Sequence, residues 1–226
     1  MSLPFRLCLV VFASLAAPGE LLAGPVVGKL ELPPAPERPP VATKGFLERT
    51  ENPLAPARGV VVTPYMIVAL EGSEKPGSPG QVSWDLVGES FSRPVIGAPV
   101  GAEVVIKNTS RTARTLVAAE DPKLIPAGPI NPTGPKSFRV NDVKVYTIGD
   151  ADAPHLKGKV VVVNTPFVSS VDDSGKFEFA DVPEGSYKLR IFYKDAWLDV
   201  VTDVNVEKKG KTEVNPKVPS FPIGKK

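Results

Sequence analysis

Three polar side chains fall on one predicted loop at a spacing that could hold a metal ion. Asp150, Asp152 and His155 form a D-x-D-x-x-H pattern, and His155 is the single histidine of the chain. Carboxylates with an imidazole are suitable ligands for Zn²⁺ or Mn²⁺, and Glu120 or Asp121 could join them from a neighbouring loop. The competing interpretation, which the sequence favours, is a solvated acidic loop with a surface histidine.

A second place for chemistry is a turn flanked by aromatic residues. Tyr193 and Trp197 lie on either side of residues 194–196, which we predict to connect two strands. Aromatic faces beside polar groups can stack on sugar rings or anchor a protein partner. The alternative, which we favour, is ordinary packing at the edge of a hydrophobic core.

Patterns typical of enzymes are missing from the sequence. There is no nucleophile elbow and no Gly-rich phosphate loop, and His155 would be the only base for a serine triad. None of the 25 acidic residues is marked by its context as a glycosidase carboxylate. Residues 172–175 resemble the start of a Ca²⁺ loop, but the twelfth position, Glu in an EF-hand, is Pro183, so we predict an Asx turn. We therefore expect no catalytic activity and no cofactor.

The N-terminal residues predict export. Arg6 precedes a short apolar core at residues 7–17, and small residues near position 23 suit cleavage, so residues 1–23 are interpreted as a signal peptide. The apolar core is too short to cross a bilayer, which needs about 20 residues. Cys8, the single cysteine, lies inside this segment, so a mature chain would have neither disulfides nor thiolate ligands. We expect a periplasmic or secreted bacterial protein. Its net charge of +2 is too small to indicate nucleic-acid binding.

The 26 prolines and 19 glycines favour many turns and few helices. Residues 33–58 are rich in proline and are interpreted as a surface linker, with a docking ligand as the alternative. Short apolar runs otherwise alternate with turns every 8 to 12 residues or so, the spacing of an all-β Greek-key sandwich. The predicted strands are 26–32, 60–70 (with a bulge or break at Pro64), 82–87, 102–107, 115–119, 136–140, 143–148, 159–163, 197–206 and 212–214.

Residues 172–193 predict a hairpin with one apolar face. Tyr187, Leu189, Ile191 and Tyr193 alternate with Lys188 and Arg190, so we expect one dry and one wet face. The whole segment resembles the C-terminal hairpin of carboxypeptidase regulatory-like domains, which are transthyretin-like β-sandwiches. A lone hairpin is marginal in water, so we expect the strands near residues 26–32 and 66–70 to cover its apolar face.

The middle of the chain resembles cupredoxins. Phe91-x-x-Pro94, followed by the strand at residues 100–108, is similar to the region that leads to the first copper histidine of that family. Exported plastocyanin-related proteins of the methylamine-utilisation-like type join such a segment to a V-x-L-E-G strand, here residues 68–72, and to a regulatory-like hairpin. The resemblance implies a cupredoxin-like segment at 73–158 inserted in a sandwich formed by 24–72 and 159–217, with a basic tail at 218–226.

The same resemblance implies that the copper ligands have been replaced. The first histidine position falls near Arg114, and the Cys-x-x-His-Pro-x-Met run corresponds to residues 150–156. Asp150 then stands at the cysteine position, Ala153 at the second histidine and Leu156 at the methionine. A type 1 copper site needs two imidazoles and a thiolate. We therefore predict a non-enzymatic binding or scaffold protein of the envelope, whose partner is an unknown protein or polysaccharide. The alternatives are a divalent-metal binder and a carbohydrate-binding module.

Overall fold

The computed structural model describes residues 23–32, 62–72, 80–208 and 210–218. These ranges contain fifteen strands and one 3-10 turn, so the predicted all-β class is confirmed. No helix in them is long and apolar enough to cross a membrane. The predictions for the export signal up to residue 22, the Pro-rich segment and the tail from 219 onward lie outside the described residues.

The strands are β1 (Ala23–Lys29), β2 (Met66–Glu71), β3 (Gln81–Val87), β4 (Ser90–Phe91), β5 (Val95–Pro99), β6 (Glu103–Asn108), β7 (Leu116–Ala118), β8 (Pro135–Arg139), β9 (Val145–Asp150), β10 (Lys157–Val163), β11 (Val168–Ser170), β12 (Lys176–Pro183), β13 (Gly185–Tyr193), β14 (Ala196–Val206) and β15 (Thr212–Val214), and the 3-10 turn is Thr63–Tyr65.

A first sandwich joins both ends of the described chain. One sheet has the strand order β12-β1-β15 and the other β11-β2-β13-β14. β2 lies directly beside β13, where Leu189 is opposite Leu70 and Ile191 is opposite Val68. β2 therefore extends the sheet that contains β13, and the sheet of β1 covers the apolar face of that strand. The core between the sheets includes Val26, Met66, Val68, Leu70, Phe177, Phe179, Tyr187, Leu189, Ile191 and Tyr193.

The hairpin has the predicted register but not two uniform faces. Leu189 is 0% exposed within the core, whereas Lys188 faces solvent. A one-residue slip would bury Lys188, so the register is strongly specified. The expectation of a wet opposite face is wrong at Phe192, which is buried there. It is buried because a second sandwich packs against that face.

The second sandwich consists of sheets β5-β10-β9-β7 and β4-β3-β6-β8. Trp84 stacks on Phe91 with ring centroids 3.8 Å apart, and both belong to the core between these sheets. A Cβ at Gly158 would collide with the Trp84 ring, so only glycine fits this point of β10. The core also contains Ile96, Ala98, Val104, Ile106, Leu116, Phe138, Tyr146, Ile148, Leu156, Val160 and Val162.

A third apolar cluster joins the two sandwiches. Ile67, Ala69 and Phe192 from the first sandwich pack with Val95, Val161 and Val163 from the second. β2 is thus buried on both faces, which explains its continuous apolar sequence. The four sheets therefore form a stack with three apolar layers between them.

The structure differs from the sequence predictions at one strand and one boundary. β5 was not predicted, because Gly97 and Pro99 interrupt it, yet it pairs in parallel with β10. Pro64 lies in the 3-10 turn and is a break in the predicted strand, since β2 begins only at Met66. The predicted boundary between residues 158 and 159 falls inside β10, whose pairing with β5 and β9 assigns it to the second sandwich.

Candidate functional site

One end of the second sandwich buries polar residues beside its apolar core. Asn108 ends β6 and is fully buried. Its amide donates to the carbonyls of Thr112, at 2.8 Å, and Ile130, at 2.9 Å. The Ile130 carbonyl also accepts the backbone N–H of Arg114 at 3.1 Å. Asn108 thereby fixes the loop that presents Arg114 next to the end of β9.

Arg114 and Asp150 form an ion pair at this end. Arg114 Nη1 lies 3.5 Å from Asp150 Oδ2, and the two side chains are 12% and 1% exposed. The other carboxylate oxygen of Asp150 accepts the N–H of Asp152 at 2.9 Å. Glu89, on the surface, lies 4.0 Å from the same guanidinium. A guanidinium is always protonated in proteins, so the buried carboxylate faces a permanent cation.

The loop after β9 alternates between buried apolar and exposed polar residues. Ala153 and Leu156 are buried in the core of the second sandwich. Asp152 is exposed, and His155 is 62% exposed with its Nε2 3.5 Å from Glu89. The positions that the resemblance assigns to the second histidine and the methionine are therefore filled by core side chains.

The structure separates the side chains that the sequence analysis considered as metal ligands. Asp150 is buried with Arg114, whereas Asp152 and His155 face solvent, and within the described ranges no three His, Cys, Asp or Glu side chains are grouped as ligands. Asp121 accepts a hydrogen bond from the backbone of its own loop.

Glu120, the other residue proposed to join the metal site, is engaged elsewhere. Its carboxylate accepts the N–H of Thr147 at 2.6 Å. Burial acts to raise the pKa of Glu120, but the hydrogen bonds from Thr147 and the charge of Lys159 outweigh it, so the pKa lies below its ordinary value.

The aromatic residues predicted to contact a partner are mostly used for packing. Tyr193 is 4% exposed, because strand alternation places it on the core face of β13, so little of its surface is open to a partner. Trp197 is half-buried and packs edge-on against Phe192 at 5.4 Å, with the Arg190 guanidinium 4.7 Å from its ring. The exposed aromatic residue beside this turn is Tyr65, at 36%.

Tyr65 lines a cleft of about 240 Å³ at the boundary between the sandwiches, called here the junction cleft. Its wall also includes Pro94, Val95, Thr147, Lys157, Gly158, Lys159, Lys194 and Asp195. An ion pair between Lys159 and Asp195 crosses from the second sandwich to the first. Sequence reasoning missed this cleft because its residues are far apart in the chain and meet only through the stacking of the sheets.

Arg93 holds the two sandwiches together close to this cleft. Its Nη2 donates to the carbonyl of Val171 at 2.6 Å and to that of Thr63 at 3.3 Å, both in the first sandwich. The carbonyl of Arg93 accepts the indole N–H of Trp84 at 2.9 Å, inside the second sandwich. The junction is therefore fixed by polar contacts as well as by apolar packing.

A larger cleft of about 590 Å³ lies against β1, β12 and β15, and its charges are balanced. Three lysines and three carboxylates line it, namely Lys29, Lys176, Lys211, Asp172, Glu178 and Glu213. Asp172 accepts hydrogen bonds from the N–H groups of Lys176, at 2.7 Å, and Ser174, at 2.8 Å. These bonds lower the pKa of Asp172, and they confirm the predicted Asx turn.

No known protein family matches the sequence, and no curated protein matches it. Solved structures of amicyanin are similar to part of the chain. A reduced amicyanin variant is 17% identical over 40% of this chain and 97% of its own, with a TM-score of 0.34. Amicyanin from Paracoccus versutus is 13% identical over 42% of this chain and 97% of its own, with a TM-score of 0.33. These neighbours are cupredoxins, and likeness at this level of identity concerns the fold alone.

Proposed function

We propose that this chain is an exported, non-enzymatic β-sandwich protein that binds or scaffolds a component of the cell envelope and carries no type 1 copper site. The partner class is an envelope protein or polysaccharide. The observation that carries the proposal is the Arg114–Asp150 ion pair, which occupies the positions that the resemblance assigns to the first histidine and the cysteine. With Ala153 and Leu156 in the core, all four ligand positions hold residues that are used for folding.

Charge and composition support the loss of copper binding. A guanidinium remains protonated at any pH at which proteins fold, so it repels a metal cation placed beside Asp150. The chain has one histidine and one cysteine, which is fewer than the two imidazoles and one thiolate that a blue-copper centre needs even before Cys8 is removed with the predicted signal.

A binding role is favoured over catalysis by how the polar groups are used. Asn108, Asp150 and Asp172 each satisfy neighbouring backbone or side-chain groups. A nucleophile or general base would need to be accessible and to lie within hydrogen-bond distance of a bound substrate. The predicted export signal supports a location outside the cytoplasm.

Metal titration of the purified protein tests this proposal. Addition of Cu²⁺ should produce no intense blue charge-transfer band, because there is no thiolate to donate charge. Zn²⁺ should raise the melting temperature of the wild-type protein no more than that of His155→Ala. An intense blue band, or a zinc-dependent gain of several degrees that His155→Ala abolishes, would contradict the proposal.

A further inference from the structure

The junction cleft combines an apolar floor with an excess of positive charge. Val95 and Gly158 at its base are buried and Pro94 is half-buried, while Tyr65 exposes part of its ring. Three lysines reach the cleft, whereas Asp195 is the only carboxylate among the residues that line it. An apolar surface rimmed by cations suits a ligand with an apolar face and a negative charge.

Two of the three lysines are available to a ligand. Lys159 is already paired with Asp195, and its charge also acts on Glu120. Lys157 and Lys194 are exposed, and neither has an ion pair within the described residues. The unbalanced charge of the cleft therefore belongs to these two side chains.

The cleft is also held in a fixed shape. The ammonium of Lys194 lies 5.6 Å from the ring centroid of Tyr65 and 5.1 Å from that of Tyr193. The backbone N–H of Lys194 donates to the carbonyl of Tyr65 at 3.0 Å. The Lys159–Asp195 ion pair adds a contact between the two sandwiches at the same cleft. A site that is already ordered loses less conformational entropy when it binds.

The size and charge of the cleft indicate which ligand it fits. Its volume of about 240 Å³ is below the range of roughly 300–1,000 Å³ typical of drug-sized ligands. A protein partner would need about 800 Å² of contact surface on each side, more than one small cleft offers. An ammonium group is a compact point charge, which suits one carboxylate without demanding a two-pronged geometry.

We propose that the junction cleft binds a single six-membered ring that carries one carboxylate. The ring packs on Tyr65 and Pro94, and the carboxylate pairs with Lys157 and Lys194. The inference rests on the proposed function as a binding protein and supplies the ligand class. The same chemistry is present in a uronic acid unit of an acidic polysaccharide and in an aromatic carboxylate.

Ligand-observed NMR titrations of the purified protein test this assignment. The probes are galacturonate and 4-hydroxybenzoate, each compared with its uncharged counterpart, galactose or 4-hydroxybenzyl alcohol. At least one acid should bind, and more tightly than its neutral counterpart. A longer oligogalacturonate that binds more tightly than galacturonate would assign the site to a polysaccharide, whereas preference for 4-hydroxybenzoate would assign it to a free aromatic acid.

Three variants that each remove one positive charge decide whether binding occurs in the cleft. Lys157→Gln and Lys194→Gln should each weaken binding by about tenfold, the size expected for one charge-assisted contact. Lys188→Gln is the control. It removes one exposed lysine of β13 that does not line the cleft, and it should leave the affinity unchanged. All three are surface changes, so each variant should fold.

Four results would overturn the inference. They are no binding of either acid, equal binding of the neutral compounds, an equal loss in Lys188→Gln, and binding only of a polyglutamate peptide, which would indicate an acidic protein segment as the partner. None of them depends on the metal titrations, so the proposed function could survive the failure of this site.

Discussion

The two sandwiches differ in what they bury. Within the described residues, the core of the first consists of apolar side chains with Tyr187 and Tyr193 among them. The second has an equally apolar centre but ends in Asn108, Ser110 and Asp150, all buried. The first sandwich also buries Thr63 and Thr165, whereas the second groups Asn108 with Ser110 and Asp150 with Arg114 in polar contacts at one end.

This difference separates polar groups that serve the fold from polar groups that are open to a ligand. Asn108 accepts from Ser110 and donates to two carbonyls, and Asp150 pairs with Arg114, so these buried groups contact one another, while Arg114 Nε has no hydrogen-bond partner among the described residues. The junction cleft has the opposite character, since Lys157 and Lys194 are exposed over an apolar floor. Buried polar groups that are mutually paired indicate a folding role, and exposed lysines without an ion pair among the described residues indicate binding.

The largest loss of stability is expected for a substitution in the apolar core of the first sandwich. Leu189→Ala should lower the free energy of unfolding by roughly 2–5 kcal/mol, because Leu189 is fully buried and its removal leaves a cavity. Val201→Ala, at an exposed position on the adjacent strand β14, is the control and should change stability by about 0.5 kcal/mol or less. Urea denaturation measures the unfolding free energy of both variants. Equally small losses of stability would contradict the assignment of Leu189 to the core of the first sandwich.

The polar end of the second sandwich should be the next most sensitive region. Asp150→Ala leaves the Arg114 guanidinium without its buried partner, although Glu89 remains 4.0 Å away. We expect a loss of about 2–3 kcal/mol, slightly below the range for a fully buried pair. Asp152→Ala changes an exposed carboxylate of the same loop and should be nearly neutral. A neutral Asp150→Ala would remove the distinction between the two sandwiches.

The exposed face of the same loop should tolerate substitution. His155 is mostly solvated, and its Nε2 lies 3.5 Å from the surface residue Glu89. His155→Ala should therefore alter stability by no more than about 0.5 kcal/mol. Thermal melts without added metal measure this effect, and a loss comparable with that of Asp150→Ala would show that the loop is packed on both faces.

The smallest expected effect is a pH-dependent one at Glu120. The pKa of Glu120 in the folded chain lies below its ordinary value of 4.5, so its ionised form is stabilised by folding. That contribution is present above the ordinary pKa and is lost as pH falls through the lower, folded value. Wild type should therefore be slightly more stable than Glu120→Gln near neutral pH, with the gap closing in acid. A gap in melting temperature that stays constant down to strongly acid pH would contradict this.

Local patterns predicted much of the fold. The alternation around Leu189 gave the hairpin and its register, and the continuous apolar run of β2 indicated a buried strand. β5 was missed because Gly97 and Pro99 are not typical of a strand, and its partner, β10, lies some sixty residues away. The wet face expected for β13 was wrong at Phe192, because nothing local reveals that a second sandwich packs there.

The candidate sites were less predictable than the fold. The resemblance to cupredoxins drew attention to Asp150, Leu156 and the region near Arg114, but it could not show that Arg114 and Asp150 pair with each other. The junction cleft left no sequence signal, since Tyr65, Lys157 and Lys194 meet only after both sandwiches have formed. Contacts of this kind depend on long-range packing and not on local spacing.

A double-mutant cycle on Arg114 and Asp150 tests most directly whether this buried ion pair serves the fold. Urea denaturation would give the unfolding free energies of wild type, Arg114→Met, Asp150→Ala and the double variant. We predict that the double variant loses clearly less stability than the sum of the single variants, with a coupling energy of about 1–3 kcal/mol, because the second substitution removes a charge that the first left unpaired. Additive effects within about 0.5 kcal/mol would contradict the account, since the two side chains would then not depend on each other.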